Sequence, residues 1–147
     1  MIVKLRKLAA LDRATLALFP EAFWRLFAAR IFLLLPFYRT APRLGLQSCE
    51  TTSFTRLADI PHIRGITKAI SIMGRCTPWR SNCMVRAVAG LRMLEKRGIE
   101  STLYMGVARD REGRMIAHAW LRSGMLYVSG DDAMKGFTVV EKFAKTR

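Results

Sequence analysis

The chain has 147 residues, of which 51% are apolar, so it can form one domain with its own hydrophobic core, and an intrinsically disordered chain is excluded. The formal net charge of +14 suits an anionic partner such as nucleic acid, an anionic membrane or an acidic peptide. The basic residues are scattered and never form a run of about five or more, so we expect no nucleic-acid partner.

The N-terminal part of the chain predicts two consecutive helices. Apolar residues recur at helical spacing over 7–19, and a second helix can begin at Pro20 and continue over 21–35. The most apolar stretch contains Arg30 and is about 12 residues long, which is too short to span a bilayer. Two interpretations stay open: a helix packed in the core, or a helix on a membrane surface with Arg25 and Arg30 toward water.

The stretch from Pro36 to about Pro61 contains several prolines and a Ser/Thr cluster, which predicts an irregular connector. We place a boundary near residue 50, which divides the chain into a helical N-terminal extension (1–50) and a domain (51–147). Apolar residues at helical spacing from Ile60 to Met73 predict an amphipathic helix that packs on the domain.

A further helix is predicted over 82–97. Ser81 or Asn82 can cap its start, an apolar stripe follows at helical spacing, and Gly98 can cap its end.

The C-terminal part predicts an antiparallel sheet. Three stretches of alternating or β-branched residues, 101–108, 115–122 and 125–130, are separated by polar turns and form a meander. The segment 137–143 fits either a fourth strand or a short helix. The expected fold is therefore α+β: a helix packed on an antiparallel sheet, preceded by a helical extension.

Cys83 lies in the first turn of the predicted helix 82–97, where free backbone N–H groups and the helix dipole stabilise a thiolate. The three cysteines of the chain are odd in number and form no Cys-x-x-Cys pair, which excludes a disulfide framework and a four-thiolate zinc site. We interpret Cys83 as a nucleophile, and Cys49 and Cys76 as structural residues.

His118 lies in the middle of the second predicted strand, where alternation places it on one face with Ile116 and Trp120. If the following turn is centred on Ser123 and Gly124, Arg122 faces Met125 and His118 faces Ser129. Asp131 then shares the face of His118, whereas Asp132 points away. We therefore predict Asp131 as the acid that orients the histidine, with Asp132 as the alternative. Both aspartates could equally be ordinary turn residues.

These residues together can perform nucleophilic catalysis at a carbonyl group. Cys83 would attack, His118 would act as base and then as acid, and a thioester would pass its acyl group to water or an amine. The oxyanion needs donors, for which the candidates are the backbone N–H of Cys83 and the side chains of Trp79, Arg80 or Asn82.

Two segments, 82–107 and 117–132, resemble the lasso peptide leader peptidases, the B-type maturation proteins with a transglutaminase-like cysteine protease domain. The matching elements are Cys83 with Arg86, an Arg-Gly-Ile helix end at 97–99, a Gly-Val strand end at 106–107, and the Ala-His-Ala-Trp strand at 117–120. The resemblance implies a papain-like or transglutaminase-like fold. It also implies that Cys83 and His118 remove the leader from a ribosomally made precursor.

The resemblance further implies partners. These are the precursor peptide with its leader, a separate leader-binding recognition protein, and a downstream cyclase resembling asparagine synthetase. We find no metal-binding or P-loop motif and expect no cofactor, although the family has been linked to an ATP requirement. Asp12 and Arg13 interrupt the apolar start of the chain, so we predict no secretory signal and a cytoplasmic protein, with peripheral membrane contact as an option.

Two other functions stay open at this point. An acyltransferase or protein-crosslinking enzyme would use the same thioester but transfer it to an amine. A basic module that binds a membrane or nucleic acid would contain the cysteine and histidine only incidentally.

Overall fold

The computed structural model describes residues 10–147 and combines helices with an antiparallel sheet. The helices are α1 (Arg13–Ala17), α2 (Phe19–Phe32), α3 (Phe37–Leu44), α4 (Ile60–Met73) and α5 (Cys83–Lys96). The strands are β1 (Leu46–Gln47), β2 (Ser101–Arg109), β3 (Met115–Ser123), β4 (Leu126–Ser129) and β5 (Thr138–Lys145). Short 3-10 turns cover Leu57–Asp59 and Asp131–Ala133. The predicted α+β class is confirmed.

The first predicted helix, over 7–19, begins outside the described residues. Within them, α1 starts after Asp12, whose carboxylate accepts hydrogen bonds from the backbone N–H and the hydroxyl of Thr15 and so caps the helix. Pro20 lies in the first turn of α2, as predicted. Helix α2 ends at Phe32, before the predicted end, because the residue that precedes Pro36 is restrained from helical geometry.

The expectation of an irregular connector after residue 36 is wrong over Phe37–Leu44, which forms helix α3 even though it contains Pro42. Thr40, Ala41 and Leu44 are buried, and the two apolar residues belong to the core cluster. Burial against the rest of the fold therefore outweighs the local preference of proline for a break.

The two long helices of the predicted domain are confirmed. Helix α4 covers Ile60–Met73 as predicted. The side chain of Asn82 caps α5 by accepting a hydrogen bond from the N–H of Val85 at 3.0 Å. At the other end, Gly98 takes a positive φ of 65°, and the N–H of Ile99 bonds back to the carbonyl of Leu94 at 3.1 Å.

The sheet has the strand order β1-β5-β2-β3-β4. Strands β2, β3 and β4 form the predicted antiparallel meander. The undecided segment 137–143 is largely strand β5, which pairs with β2 on the side away from β3. Strand β1 then pairs with β5, so residues 46–47 from the predicted extension form the edge of the sheet.

The predicted register between β3 and β4 is wrong. Ser129 pairs with Leu121 instead of His118, and Arg122 pairs with Tyr127 instead of Met125. The turn is centred one residue later than predicted, because Gly124 takes the positive φ of 57° that a tight hairpin requires. An irregularity between Leu121 and Arg122 shifts the pairing further.

Helix α5 packs on one face of the sheet. Gly90 of α5 lies against the side chains of Leu121 and Val128, and any Cβ at this position would be 2.9 Å from Leu121. Leu103 and Phe143 extend the same buried cluster along β2 and β5. The core of the molecule therefore lies between α5 and this face of the sheet.

The N-terminal helices share this core. Leu26 of α2 is fully buried in the same cluster, and Arg97 after α5 donates to Glu21 of α2, with an Nη2 to Oε2 distance of 2.7 Å. This hydrogen bond with Arg97 lowers the pKa of the Glu21 carboxyl below its ordinary value. The division at residue 50 stays a prediction, but the contacts join the two parts through one core.

The opposite face of the sheet is covered in part by segment 51–55. Arg122 is buried there and donates to the carbonyl of Thr51 at 3.1 Å, to the carbonyl of Gly124 at 2.7 Å and to the hydroxyl of Tyr104 at 3.0 Å. Tyr104 in turn stacks on Trp120, with ring centroids 5.5 Å apart. His118 belongs to this second face of β3.

Candidate active site

Cys83 is the first residue of helix α5 and is partly buried, in contact with the core cluster. Asn82 precedes it in extended geometry, so the chain turns sharply into the helix at this point. The first backbone N–H groups of a helix have no partner within it, and they point toward the side chain at the helix start. Cys83 therefore lies at the helix start that the sequence predicts, and its role as a nucleophile stays a prediction.

Arg86, one turn further along α5, fixes the loop that leads into the helix. Its Nε donates to the carbonyl of Ser81 at 2.8 Å, and its guanidinium lies over Gly74, where a Cβ would be only 2.7 Å from Nε. The loop is also tied internally, since the hydroxyls of Thr77 and Ser81 are 2.7 Å apart. Arg86 therefore sets the position of the chain immediately before Cys83.

We expect Arg86→Met to lower turnover about tenfold, because Met keeps the aliphatic length but releases the Ser81 carbonyl and lets the loop shift. Steady-state kinetics should show the loss mainly in kcat, together with slower alkylation of Cys83 by iodoacetamide. Lys96→Met, in the last turn of the same helix, should leave both rates unchanged. Equal rates for Arg86→Met and the wild-type chain would refute the positioning role.

Trp79 lies in the same loop, and its ring packs between Phe23 and Phe27 of α2, with centroid distances of 5.2 and 5.4 Å. Its Nε1 is buried and has no hydrogen-bond partner among the described residues. A buried N–H without a partner is costly, so it is a donor ready for an added acceptor. The oxyanion role of Trp79 stays a prediction. The side-chain oxygen of Asn82 caps α5, which leaves its Nδ2 group as the possible donor for the predicted oxyanion role.

His118 is held in a defined orientation. Its Nε2 lies 2.7 Å from the carbonyl oxygen of Gly130, and its ring packs against Trp120 and Phe137, with centroids 5.9 and 5.2 Å away. A carbonyl can only accept, so in this contact Nε2 is the donor, and Nδ1 is the ring nitrogen that remains for a second partner. The role of His118 as a base, which Nδ1 would perform, stays a prediction.

Position 130, whose carbonyl contacts His118, requires a glycine. Its φ is +78°, and a Cβ there would lie 2.4 Å from the carbonyl oxygen of Ala119. No sequence motif singles out Gly130; the available signal is a glycine directly after a strand and before two aspartates.

Asp131 and Asp132 form the short 3-10 turn after β4 and are exposed. Neither carboxylate has a hydrogen bond to His118 among the described residues, and the carbonyl of Gly130 occupies that position on the ring. Both aspartates line a cavity of about 260 Å³ together with Arg75 and Arg86. Their predicted role as orienting acids stays a prediction.

The structure does not join the predicted nucleophile and base. Within residues 10–147 no hydrogen bond links Cys83 to His118. Side chains alternate along β3, so Ala119 and Leu121 face α5 while His118 projects from the other face. The other histidine of the chain, His62, is an exposed residue of α4.

No cluster of three His, Cys, Asp or Glu side chains that could hold a metal ion occurs in the described part of the chain.

Comparison with known proteins places most of the chain in one family. The model described as the transglutaminase-like superfamily matches residues 31–142. No curated protein and no solved structure matches the chain. The match includes helix α5 and the sheet, and it begins within α2, before the boundary predicted at residue 50.

Proposed function

This chain belongs to the transglutaminase-like superfamily, and we propose that it is a cysteine peptidase that removes the leader from a ribosomally synthesised lasso peptide precursor. The family indicates cysteine protease or acyltransferase chemistry. The observation that carries the proposal is the position of Cys83 at the start of a capped, buried helix within the matched region. The leader as substrate is supported by the resemblance of segments 82–107 and 117–132 to the leader peptidases.

In the proposed mechanism, Nδ1 of His118 takes the proton of the Cys83 thiol, and the thiolate attacks the carbonyl carbon of the scissile peptide bond. The tetrahedral oxyanion is stabilised by the backbone N–H of Cys83 and by the unpaired Nε1 of Trp79. The imidazolium protonates the leaving amine, and the acyl group stays on Cys83 as a thioester. Water then attacks with His118 as base, which releases the leader as a carboxylic acid and restores the thiol.

The mechanism requires Nδ1 of His118 and the Cys83 thiol to approach each other when the peptide binds, since no hydrogen bond joins these side chains among residues 10–147. Hydrogen bonds of catalytic groups commonly form only in the substrate complex.

The proposed partners are a separate leader-binding protein, which presents the precursor, and a cyclase resembling asparagine synthetase, which closes the freed core peptide. An excess of basic residues suits an acidic leader or an acidic leader-binding surface.

The proposal is tested by the masses of the products formed from the precursor with this chain and the leader-binding protein. We expect a leader fragment that has gained one water and a core peptide with a free amine. A product that instead carries an added primary amine in place of water would show acyl transfer, the alternative on the same fold. An unchanged precursor with all partners present would refute both.

A further inference from the structure

We propose that the corner between α2 and α3 is a docking site for an anionic lipid surface. This apolar corner consists of exposed side chains on α2, in the turn and at the start of α3: Trp24, Phe27, Ile31, Leu34, Leu35 and Tyr38. Trp24, Leu34 and Tyr38 are 65%, 68% and 70% exposed, which is high for large apolar side chains that lie close together along the chain.

The spacing places the α2 residues of the corner on one surface. Trp24, Phe27 and Ile31 follow each other three and four positions apart, so they form a stripe along α2, opposite buried Leu26 and its neighbours. The stripe leads into the turn 33–36, where Leu34 and Leu35 are exposed. Along the chain, Leu34 and Leu35 at the turn thus lie between the indole of Trp24 and the phenol of Tyr38.

The charges around the apolar corner decide what it binds. Residues 22–49 contain four arginines (Arg25, Arg30, Arg39 and Arg43) and no aspartate, glutamate or lysine. Arg39 lies over the ring of Tyr38 at 5.6 Å from its centroid, beside the turn. The whole chain carries a formal charge of +14. The charged residues within 22–49 are all positive, and apolar side chains among positive charges match the interior and the phosphate layer of an anionic bilayer.

The binding is peripheral. Among residues 10–147 no helix has both the length and the apolar content needed to cross a bilayer. Tryptophan and tyrosine at the ends of the apolar corner are the side chains that prefer the membrane–water interface. The aromatic contacts continue from Trp24 through Phe27 to Trp79, four positions before Cys83, so a docked chain would hold the loop of the nucleophile close to the lipid surface.

The test is sedimentation of the purified chain with vesicles, which is independent of peptidase activity. We expect binding to vesicles of equal parts phosphatidylcholine and phosphatidylglycerol, little binding to phosphatidylcholine alone, and release as the salt concentration rises. Leu34→Glu should lower the partition coefficient of the chain onto the anionic vesicles at least about tenfold, and Arg39→Gln should lower it about fivefold. Leu57→Glu is the matched control, because Leu57 is 84% exposed but lies outside the corner, and it should bind like the wild-type chain.

Three results would overturn the proposal. One is a wild-type chain that stays in solution with anionic vesicles, and another is equal binding by Leu34→Glu and the wild-type chain. The third is a dimer, or a complex with the leader-binding protein, that Leu34→Glu disrupts while vesicle binding is unaffected. Such a complex would make the corner a protein interface. Circular dichroism should show that both substituted chains are folded, since these leucines are exposed.

Discussion

Cys83→Ala is expected to reduce cleavage of the precursor by about 10⁴-fold or more, because no other described group can form the thioester at this position. The fold should persist, since Cys83 is only partly buried and alanine is a favourable helix residue. The measurement is the rate at which leader fragment appears by mass spectrometry, at matched concentrations of folded chain.

The other two cysteines provide the controls. Cys49 and Cys76 are exposed, and Cys49→Ala or Cys76→Ala should cleave at the wild-type rate. Iodoacetamide should inactivate the chain in proportion to labelling of Cys83. Cleavage by Cys83→Ala at a rate near that of wild type would eliminate the thiol mechanism, whereas loss of activity in Cys76→Ala would move the nucleophile to the loop before α5.

His118→Gln is expected to lower kcat by about 10³-fold, since the amide can still donate to the carbonyl of Gly130 but cannot accept and return a proton. KM should change little, because the side chain keeps its size between Trp120 and Phe137.

His62→Gln is the matched control, because His62 is the other histidine of the chain and is exposed on α4. It should retain wild-type kcat and KM. If His118→Gln and His62→Gln cleave equally well, His118 is a structural residue of the outer sheet face and the base must be sought elsewhere. Asp131→Asn and Asp132→Asn, measured beside them, would show which aspartate contributes.

Much of the local structure follows from short stretches of sequence. Helix α5 is predicted by Asn82 and Gly98, because a cap acts on groups within one helical turn. Helix α4 and the meander of β2, β3 and β4 likewise follow from apolar spacing and turn residues. Cys83 and His118 could be singled out for the same reason: each position is defined by its own helix or strand.

The register between β3 and β4 could not be predicted from the local sequence. A shift of the turn by one residue and one irregular pair changed the partner of every residue on β4, and with it the predicted neighbour of His118. The ring of His118 instead contacts the backbone carbonyl of Gly130, and no pattern of side-chain types predicts a contact with a backbone carbonyl.

The sequence by itself determined the α+β class, the capped helix that begins at Cys83, the strand with His118 and the basic, apolar character of residues 22–49. The tertiary structure alone decided that Phe37–Leu44 is helical, that β5 and β1 extend the sheet beside β2, and that the ring of His118 contacts the carbonyl oxygen of Gly130. The physical reason is the separation in sequence over which each kind of interaction acts. Caps, turns and periodicity act over a few residues, whereas strand pairing, burial and the meeting of catalytic groups depend on contacts between residues far apart in the chain.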